Sequence, residues 1–142
     1  MIFGGYLLKQ TFELAFTCAA AFSHTRPSFI SLDPSTFEEP VPVGSVLYVS
    51  ASIVYTEPST AGGTRISVAV TTQVRDVDHA DRKSTGSFFY TFLVDKDVRV
   101  MPQSYSEFMR WVDGRRRAKH MAASLEVSGD ALDRLTMGDA VE

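Results

Sequence analysis

A single glutamate inside an apolar stretch is the residue of this chain best suited to chemistry. After Lys9 and Gln10, the segment up to residue 22 is almost wholly apolar, and Glu13 is the one ionisable residue inside that run. A carboxylate without a partner in a dry core is costly. A glutamate kept in such a place therefore needs either a structural partner or a function.

The glycine pair Gly4 and Gly5 supplies the second part of a site for acyl chemistry. In a helix that begins there, the first-turn amides have no partner within the helix and lie at the positive end of its dipole. Glycine also lets a ligand approach the backbone closely. Glu13 follows just over two turns later, so the amides and the carboxylate can line one cleft. The amides would polarise a carbonyl, and the carboxylate would attack it or activate a water molecule.

This pattern makes Glu13 and Gly5 the candidate catalytic residues. In the competing interpretation, Glu13 pairs with a lysine or a backbone donor, or it faces a subunit interface, since structural pairs also hold carboxylates in unusual places. A Gly-Gly pair alone usually marks a tight turn. The sequence has no G-x-G-x-x-G or P-loop pattern that would bind a nucleotide.

A small basic cluster at a predicted strand end is a candidate phosphate site. Arg82 and Lys83 follow a polar loop, and Arg75 precedes it across the same hairpin. Such side chains can hold a phosphate, although solvated loop charges are the common alternative. The run at residues 115–117 has the same two interpretations.

The elements that must position these residues are one buried helix and a set of strands. The helix of residues 2–23 is apolar nearly all round, which is typical of a buried helix. It is too interrupted by Lys9, Gln10 and Glu13 to span a membrane. A short strand is predicted at 28–32, and alternating strands at 45–56, 64–76 and 83–94 with hairpin-length connections. We therefore expect an α+β fold in which a curved antiparallel sheet wraps one long central helix.

The second helix is predicted at residues 104–121. Ser104 or Ser106 is its candidate cap, and Tyr105, Phe108 and Met109 contribute to its apolar face. Residues 122–142 show little periodicity, so a weakly structured tail is expected there. On this basis, residues 1–121 form a single domain.

Composition excludes several classes of partner. The 142 residues suit one domain, and the net charge of −3 gives no reason to expect nucleic acid or an anionic membrane. The single cysteine, Cys18, indicates a buried, inert thiol in a reducing compartment. His24, His79 and His120 stand too far apart for a metal pattern. No basic region precedes the apolar stretch, so we do not expect a targeting segment in this chain. We expect an intracellular location.

Five short motifs occur in order along residues 1–121. They are Ile2-Phe3-Gly4-Gly5-Tyr6-Leu7 followed by Glu13, Arg26-Pro27, Pro40-Val41-x-Val43-Gly44-Ser45, Lys83-Ser84-Thr85 with Phe88-x-x-Thr91-Phe92, and Tyr105-x-x-x-Met109 with Asp113-Gly114-Arg115. Together they resemble the second hotdog domain of the mitochondrial double-hotdog acyl-CoA thioesterases.

The resemblance implies a function and a site. It implies hydrolysis of acyl-CoA to a free fatty acid and CoA in a mitochondrion, at an active site between two hotdog units. Glu13 would take the acidic catalytic position and Gly5 the amide that polarises the thioester. Arg82 and Lys83 are then candidates for binding CoA, which is part of the substrate, so no cofactor is implied.

The same resemblance leaves rival functions open. It implies a strand ahead of the glycine pair and a companion hotdog unit. We therefore expect that the first strand is missing, that the chain is a fragment or an incomplete gene model, and that it is either inactive alone or dimerises to replace the lost half. A non-catalytic hotdog half that acts as a scaffold or CoA-binding partner is the main alternative. A dehydratase is a third, but its usual Asp/His pair has no counterpart, because no histidine lies in or beside the helix in a suitable place.

Overall fold

The first helix carries the candidate catalytic residues. In a computed structural model of the chain, which describes residues 4–33, 36–59, 62–78 and 80–138, this helix (α1) spans Gly4–Ser23. It ends as predicted, because His24 takes a left-handed φ of 55° and Pro27 follows. The predicted helix residues 2–3 and the loop residue His79 lie outside the described residues.

Five strands form one antiparallel sheet. They are β1 (Ser28–Leu32), β2 (Thr36–Phe37), β3 (Val46–Pro58), β4 (Thr64–Arg75) and β5 (Arg82–Val94). The order across the sheet is β1-β5-β4-β3, and β2 also pairs with β5. The three long strands are the predicted meander, and the α+β architecture of the hotdog fold is confirmed.

One face of the sheet packs on α1 and is called here the helix face; the opposite side is the outer face. The helix face is formed by alternate residues of the two central strands, which bury their side chains against Ala15 and Ala19 of α1. These alternate residues are Ile66, Val68, Val70, Phe88, Tyr90, Phe92 and Val94. Period-2 alternation therefore positions the core as the sequence predicts.

Bulges interrupt the alternation in three places. The register shifts once in the pairing of β1 with β5, once between Ile53 and Tyr55 of β3, and once opposite Thr72 and Gln73 of β4. The shift in β3 leaves Tyr55 opposite Ser67, whereas Ile53 lies opposite the buried Val68. Strict alternation over the predicted strand 45–56 would place Tyr55 on the same face as Ile53, but the bulge places it on the opposite face.

The second helix is longer than predicted. It spans Tyr105–Gly138 (α2), so the weakly structured tail expected at 122–142 is corrected to helix as far as Gly138. The reason is propensity: residues 122–137 include three alanines, three leucines, one methionine and one arginine, which favour a helix without amphipathic periodicity. Residues 139–142 lie outside the described part.

The start of α2 and its basic run follow simple local rules. Ser104 caps the helix, since its Oγ accepts the Glu107 amide at 3.3 Å. Arg117 pairs with Asp113 at 2.8 Å, one turn away. The chain divides into two compact units, residues 1–101 and 102–142; the assignment of residues 1–121 to one domain stays a prediction. Among the described residues, no helix is long and apolar enough to cross a membrane.

Candidate active site

Two opposite rows of residues divide α1 into a buried side and an exposed side. Residues four apart lie one above another on a helix, and rows two residues apart are rotated by about 200°. The buried row is Leu7, Thr11, Ala15, Ala19 and Ser23. The exposed row is Gly5, Lys9, Glu13, Thr17 and Ala21.

The exposure of Glu13 corrects the expectation of a carboxylate in a dry core. In this chain the sheet covers only one side of α1, and Glu13 lies on the opposite side. Its row consists of small or charged residues that tolerate water, which is why no part of this chain has to bury it. Glu13 is therefore a solvent-exposed carboxylate in the chain by itself.

Gly5 and Glu13 nevertheless share one side of the helix. They are eight residues apart, which corresponds to about 12 Å of helix rise, and both are exposed. Side chains on a helix tilt toward its N-terminus, so the Glu13 carboxylate is directed along its row toward Gly5. A carbonyl and a water molecule can occupy the space between an amide at one end and a carboxylate at the other.

The N-terminal end of α1 lies near one end of the sheet. Leu7 packs with Val41 of the β2–β3 connection and Val74 of β4, and Leu47 of β3 joins the same cluster. Val74 is one residue before the end of β4. The glycine end of the helix and the predicted basic cluster are therefore at the same end of the molecule.

A buried tyrosine fixes the helix against the sheet. The Tyr90 hydroxyl of β5 is 2.7 Å from Thr11 Oγ1 and also donates to the Leu8 carbonyl at 3.2 Å. Burial raises the pKa of Tyr90, and the hydrogen bond to Thr11 lowers it by a smaller amount. These contacts fix the position of α1 on the sheet, with Gly5 and Glu13 on the exposed side of the helix.

The rings around α1 are packing groups, as the sequence predicts. Phe12 meets Phe29 edge-on at 5.3 Å and Tyr90 at 5.9 Å, and Phe16 meets Phe92 at 6.1 Å. Cys18 is half-buried beside them, and burial raises the pKa of its thiol. In the described part of the chain, no group of three or more His, Cys, Asp or Glu side chains is arranged to hold a metal ion.

The basic residues Arg82 and Lys83 are adjacent in sequence but lie on opposite faces of the sheet. Lys83 is directly opposite the buried Val74, so it shares the helix face, whereas Arg82 is opposite Arg75 on the outer face. Adjacent residues of a strand always alternate between the two faces; the bulge at Thr85, which is skipped between the pairs Thr72–Gly86 and Gln73–Ser84, decides that Lys83 rather than Arg82 lies on the helix face. Both residues are exposed.

The outer-face arginine has a partner that sequence reasoning missed. The Arg82 guanidinium lies 4.1 Å from the centre of the Tyr48 ring, which belongs to β3, two strands away. The bulge was also missed, although a signal existed: Gly86 stands inside an otherwise regular strand, a pattern that often marks a bulge. No comparable local pattern pairs Tyr48 with Arg82.

Comparisons with known proteins identify relatives of this chain. No family model matches the chain. Mouse acyl-coenzyme A thioesterase 10, a mitochondrial protein, is 34% identical over 130 residues, which is 91% of this chain and 28% of that protein. The chain thus spans less than a third of the length of this curated relative.

Solved structures share the fold. An acyl-CoA hydrolase from Staphylococcus aureus in complex with butyryl-CoA, CoA and CoA disulfide matches with a TM-score of 0.79 at 21% identity, over 95% of this chain and 84% of that one. A hexameric acyl-CoA thioesterase in its apo form matches with a TM-score of 0.77, also at 21% identity, over 87% of this chain and 81% of that one.

Proposed function

Because this chain is a hotdog domain of the acyl-CoA thioesterase family, we propose that it takes part in hydrolysing acyl-CoA to a free fatty acid and CoA. The observation that carries the proposal is the shared exposed row of Gly5 and Glu13 on α1. A donor and a carboxylate on the same side of one helix can act on one bound thioester.

Each of the two residues has one role in the proposed reaction. The Gly5 amide donates a hydrogen bond to the thioester oxygen and stabilises the negative charge that develops there. The Glu13 carboxylate either attacks the carbonyl carbon or removes a proton from an attacking water molecule. In both routes the C–S bond then breaks and the CoA sulfur takes up a proton. When water attacks, its oxygen enters the acid product directly; when Glu13 attacks, an acyl-glutamyl anhydride forms, and water hydrolyses it to release the acid and restore the carboxylate. The reaction needs no cofactor, because CoA is part of the substrate.

Lys83 and Arg82 are the proposed contacts for the phosphates of CoA. Lys83 lies on the helix face, at the sheet end near the N-terminus of α1, and Arg82 lies on the outer face of the same end. Both are exposed. A ligand that follows this end of the sheet from the outer face to α1 would pass both cations.

A second hotdog unit is the proposed partner. The chain matches 28% of a longer mitochondrial thioesterase, and a solved relative of the same fold is hexameric. A second unit against the exposed row would exclude water from Glu13, which this chain does not do by itself. A mitochondrial location is proposed from the same relative.

Replacement of Glu13 tests the catalytic role directly. We expect Glu13→Gln to lower the rate of thiol release from acyl-CoA by about 10²–10⁴-fold, the usual range for loss of a general base. Thiol release is followed with a chromogenic thiol reagent across acyl chain lengths, and CoA affinity is measured by calorimetry. Affinity should change little, because Glu13 is remote from the proposed phosphate contacts.

Glu39→Gln is the matched control, since it removes an exposed carboxylate outside α1. It should leave the rate unchanged. Full activity in Glu13→Gln would end the assignment of Glu13.

The second candidate function is a non-catalytic hotdog half that serves as a scaffold or CoA-binding partner. The exposure of Glu13 favours it, because none of the residues that the structure describes buries the carboxylate. A protein that binds CoA or a second unit but releases thiol from no acyl-CoA would support this function.

A further inference from the structure

Two arginines face each other where β4 ends and β5 begins. Arg75 and Arg82 are directly opposite in the register, on the outer face. Like charges directly opposite on neighbouring strands destabilise a sheet. The register therefore places two guanidinium-bearing residues side by side on the outer face.

The ring of Tyr48 fixes the orientation of one of these arginines. Its centre is 4.1 Å from the Arg82 guanidinium carbon, a distance typical of a cation–π contact. A stacked guanidinium keeps its N–H donors in its own plane, where they can form paired hydrogen bonds to a phosphate. The ring is half-buried and belongs to a strand, so it is a firm support for a long side chain.

Loop acids limit how an anion can reach this place. Asp76, Asp78 and Asp81 are exposed in the connection between β4 and β5 and offset the three basic residues in net charge. Long-range attraction is therefore weak, and an anion would be held by direct contact with the guanidinium groups. Geometry rather than net charge must select the ligand.

We propose that Arg75 and Arg82 form one phosphate subsite for CoA on the outer face, with Tyr48 as the positioning residue of Arg82. Lys83 is excluded from this subsite by the bulge at Thr85 and contacts a different phosphate from the helix face. The inference rests on the proposed function for its ligand, and it assigns Tyr48 a role in binding the substrate.

A double-mutant cycle tests the subsite, with CoA as the probe in calorimetric titrations of the protein. Arg82→Gln should weaken CoA binding about tenfold, and Tyr48→Leu should weaken it nearly as much. The double variant should bind no more weakly than Arg82→Gln alone, because the ring acts through the guanidinium. Tyr48→Phe should retain most of the affinity, since the ring remains.

The combination of Arg82→Gln with Lys83→Gln has a different expectation. Separate subsites predict that the two fold-losses multiply. Arg65→Gln, at the far end of β4, is the control and should have no effect. The proposal is overturned if the losses of CoA affinity in Arg82→Gln and Lys83→Gln do not multiply in the double variant. It is also overturned if Tyr48→Leu weakens CoA binding as much in the Arg82→Gln background as it does alone.

Two further outcomes separate this inference from the proposed function. Dephospho-CoA and adenosine 3′,5′-bisphosphate, titrated in parallel, report which phosphate loses its contact in Arg82→Gln. If the unchanged protein binds neither CoA nor the bisphosphate, both proposals fail. If it binds CoA and releases thiol while Arg82→Gln binds normally, only the subsite is wrong.

Discussion

At the scale of single residues, Glu13 and Tyr90 differ in what surrounds them. Glu13 stands on the free side of α1, whereas the Tyr90 hydroxyl is enclosed by the sheet and by Thr11. Sequence reasoning singled out Glu13 correctly as unusual in type but assigned it the wrong environment. The exposed row can be recognised in the sequence as residues four apart that are all small or charged, a pattern that indicates the exposed side of a helix. Its members are Gly5, Lys9, Glu13, Thr17 and Ala21.

Tyr90→Phe should destabilise the protein at neutral pH by about 1 kcal/mol, because the single hydroxyl proton lies between Thr11 Oγ1 and the Leu8 carbonyl and joins β5 to α1. Thr11 Oγ1 keeps its bond to the Leu8 carbonyl at 3.0 Å, which limits the loss. Urea unfolding measures the difference in free energy. An unchanged midpoint would show that the hydroxyl does not hold the helix.

The same variant should also change how the stability of the protein depends on pH in the alkaline range. Burial raises the pKa of Tyr90 above its ordinary value of 10.0, so the folded protein keeps a proton that the unfolded chain releases. Stability of the unmodified protein therefore falls as the pH rises above 10. Tyr90→Phe lacks this loss, so its deficit should shrink there. Tyr105→Phe, which removes an exposed hydroxyl, should follow the unmodified protein.

At the scale of elements, periodicity predicts the strands well and their irregularities poorly. The three long strands and the helix end near Ser23 follow from alternation, hairpin-length connections and Pro27. A bulge changes which residues share a face without changing composition, so strict alternation put Tyr55 on the wrong side. The length of α2 was missed because a helix without an amphipathic pattern shows no period.

The turn between β3 and β4 offers a prediction at this scale. Gly62 and Gly63 both have positive φ, of 97° and 79°, but an added Cβ at Gly63 would overlap the carbonyl oxygen of Val94. Gly62→Ala should cost about 1 kcal/mol for its backbone conformation. Gly63→Ala should cost a further 1–3 kcal/mol, roughly, for the clash. Chemical denaturation of both variants checks the order, and equal costs would contradict it.

At the scale of the whole molecule, the exposed row of α1 is where a second unit would complete the site. Sequence reasoning predicted a buried helix, and the sheet of this chain buries only one side of it. The difference is physical: one sheet face cannot enclose a helix. In the assembly proposed above, a second hotdog unit covers the other side.

Ala21→Arg tests this arrangement. Ala21 lies on the exposed row two turns beyond Glu13, so a long charged side chain there should block a second unit without disturbing the fold. We expect a smaller mass by light scattering and a parallel loss of thiol release, with the unfolding free energy changed by less than about 0.5 kcal/mol. Ala80→Arg, in an exposed loop, is the control. If Ala21→Arg still assembles and releases thiol, the interface with the second unit does not include the exposed row.

The bulge at Thr85 makes β5 tolerant of a change in length at one point. Gly86 and Ser84 already pair with the neighbouring residues Thr72 and Gln73. Loss of Thr85 would therefore leave a continuous ladder in which all remaining residues of β5 keep the face on which they now lie. A deletion two positions later would instead invert one arm of the strand and turn its apolar side chains toward water. Among related chains, a one-residue gap at that position would therefore keep the apolar side chains of this strand on their present faces, at the cost of the Thr85 hydrogen bonds to Thr72 Oγ1 and the Glu38 amide.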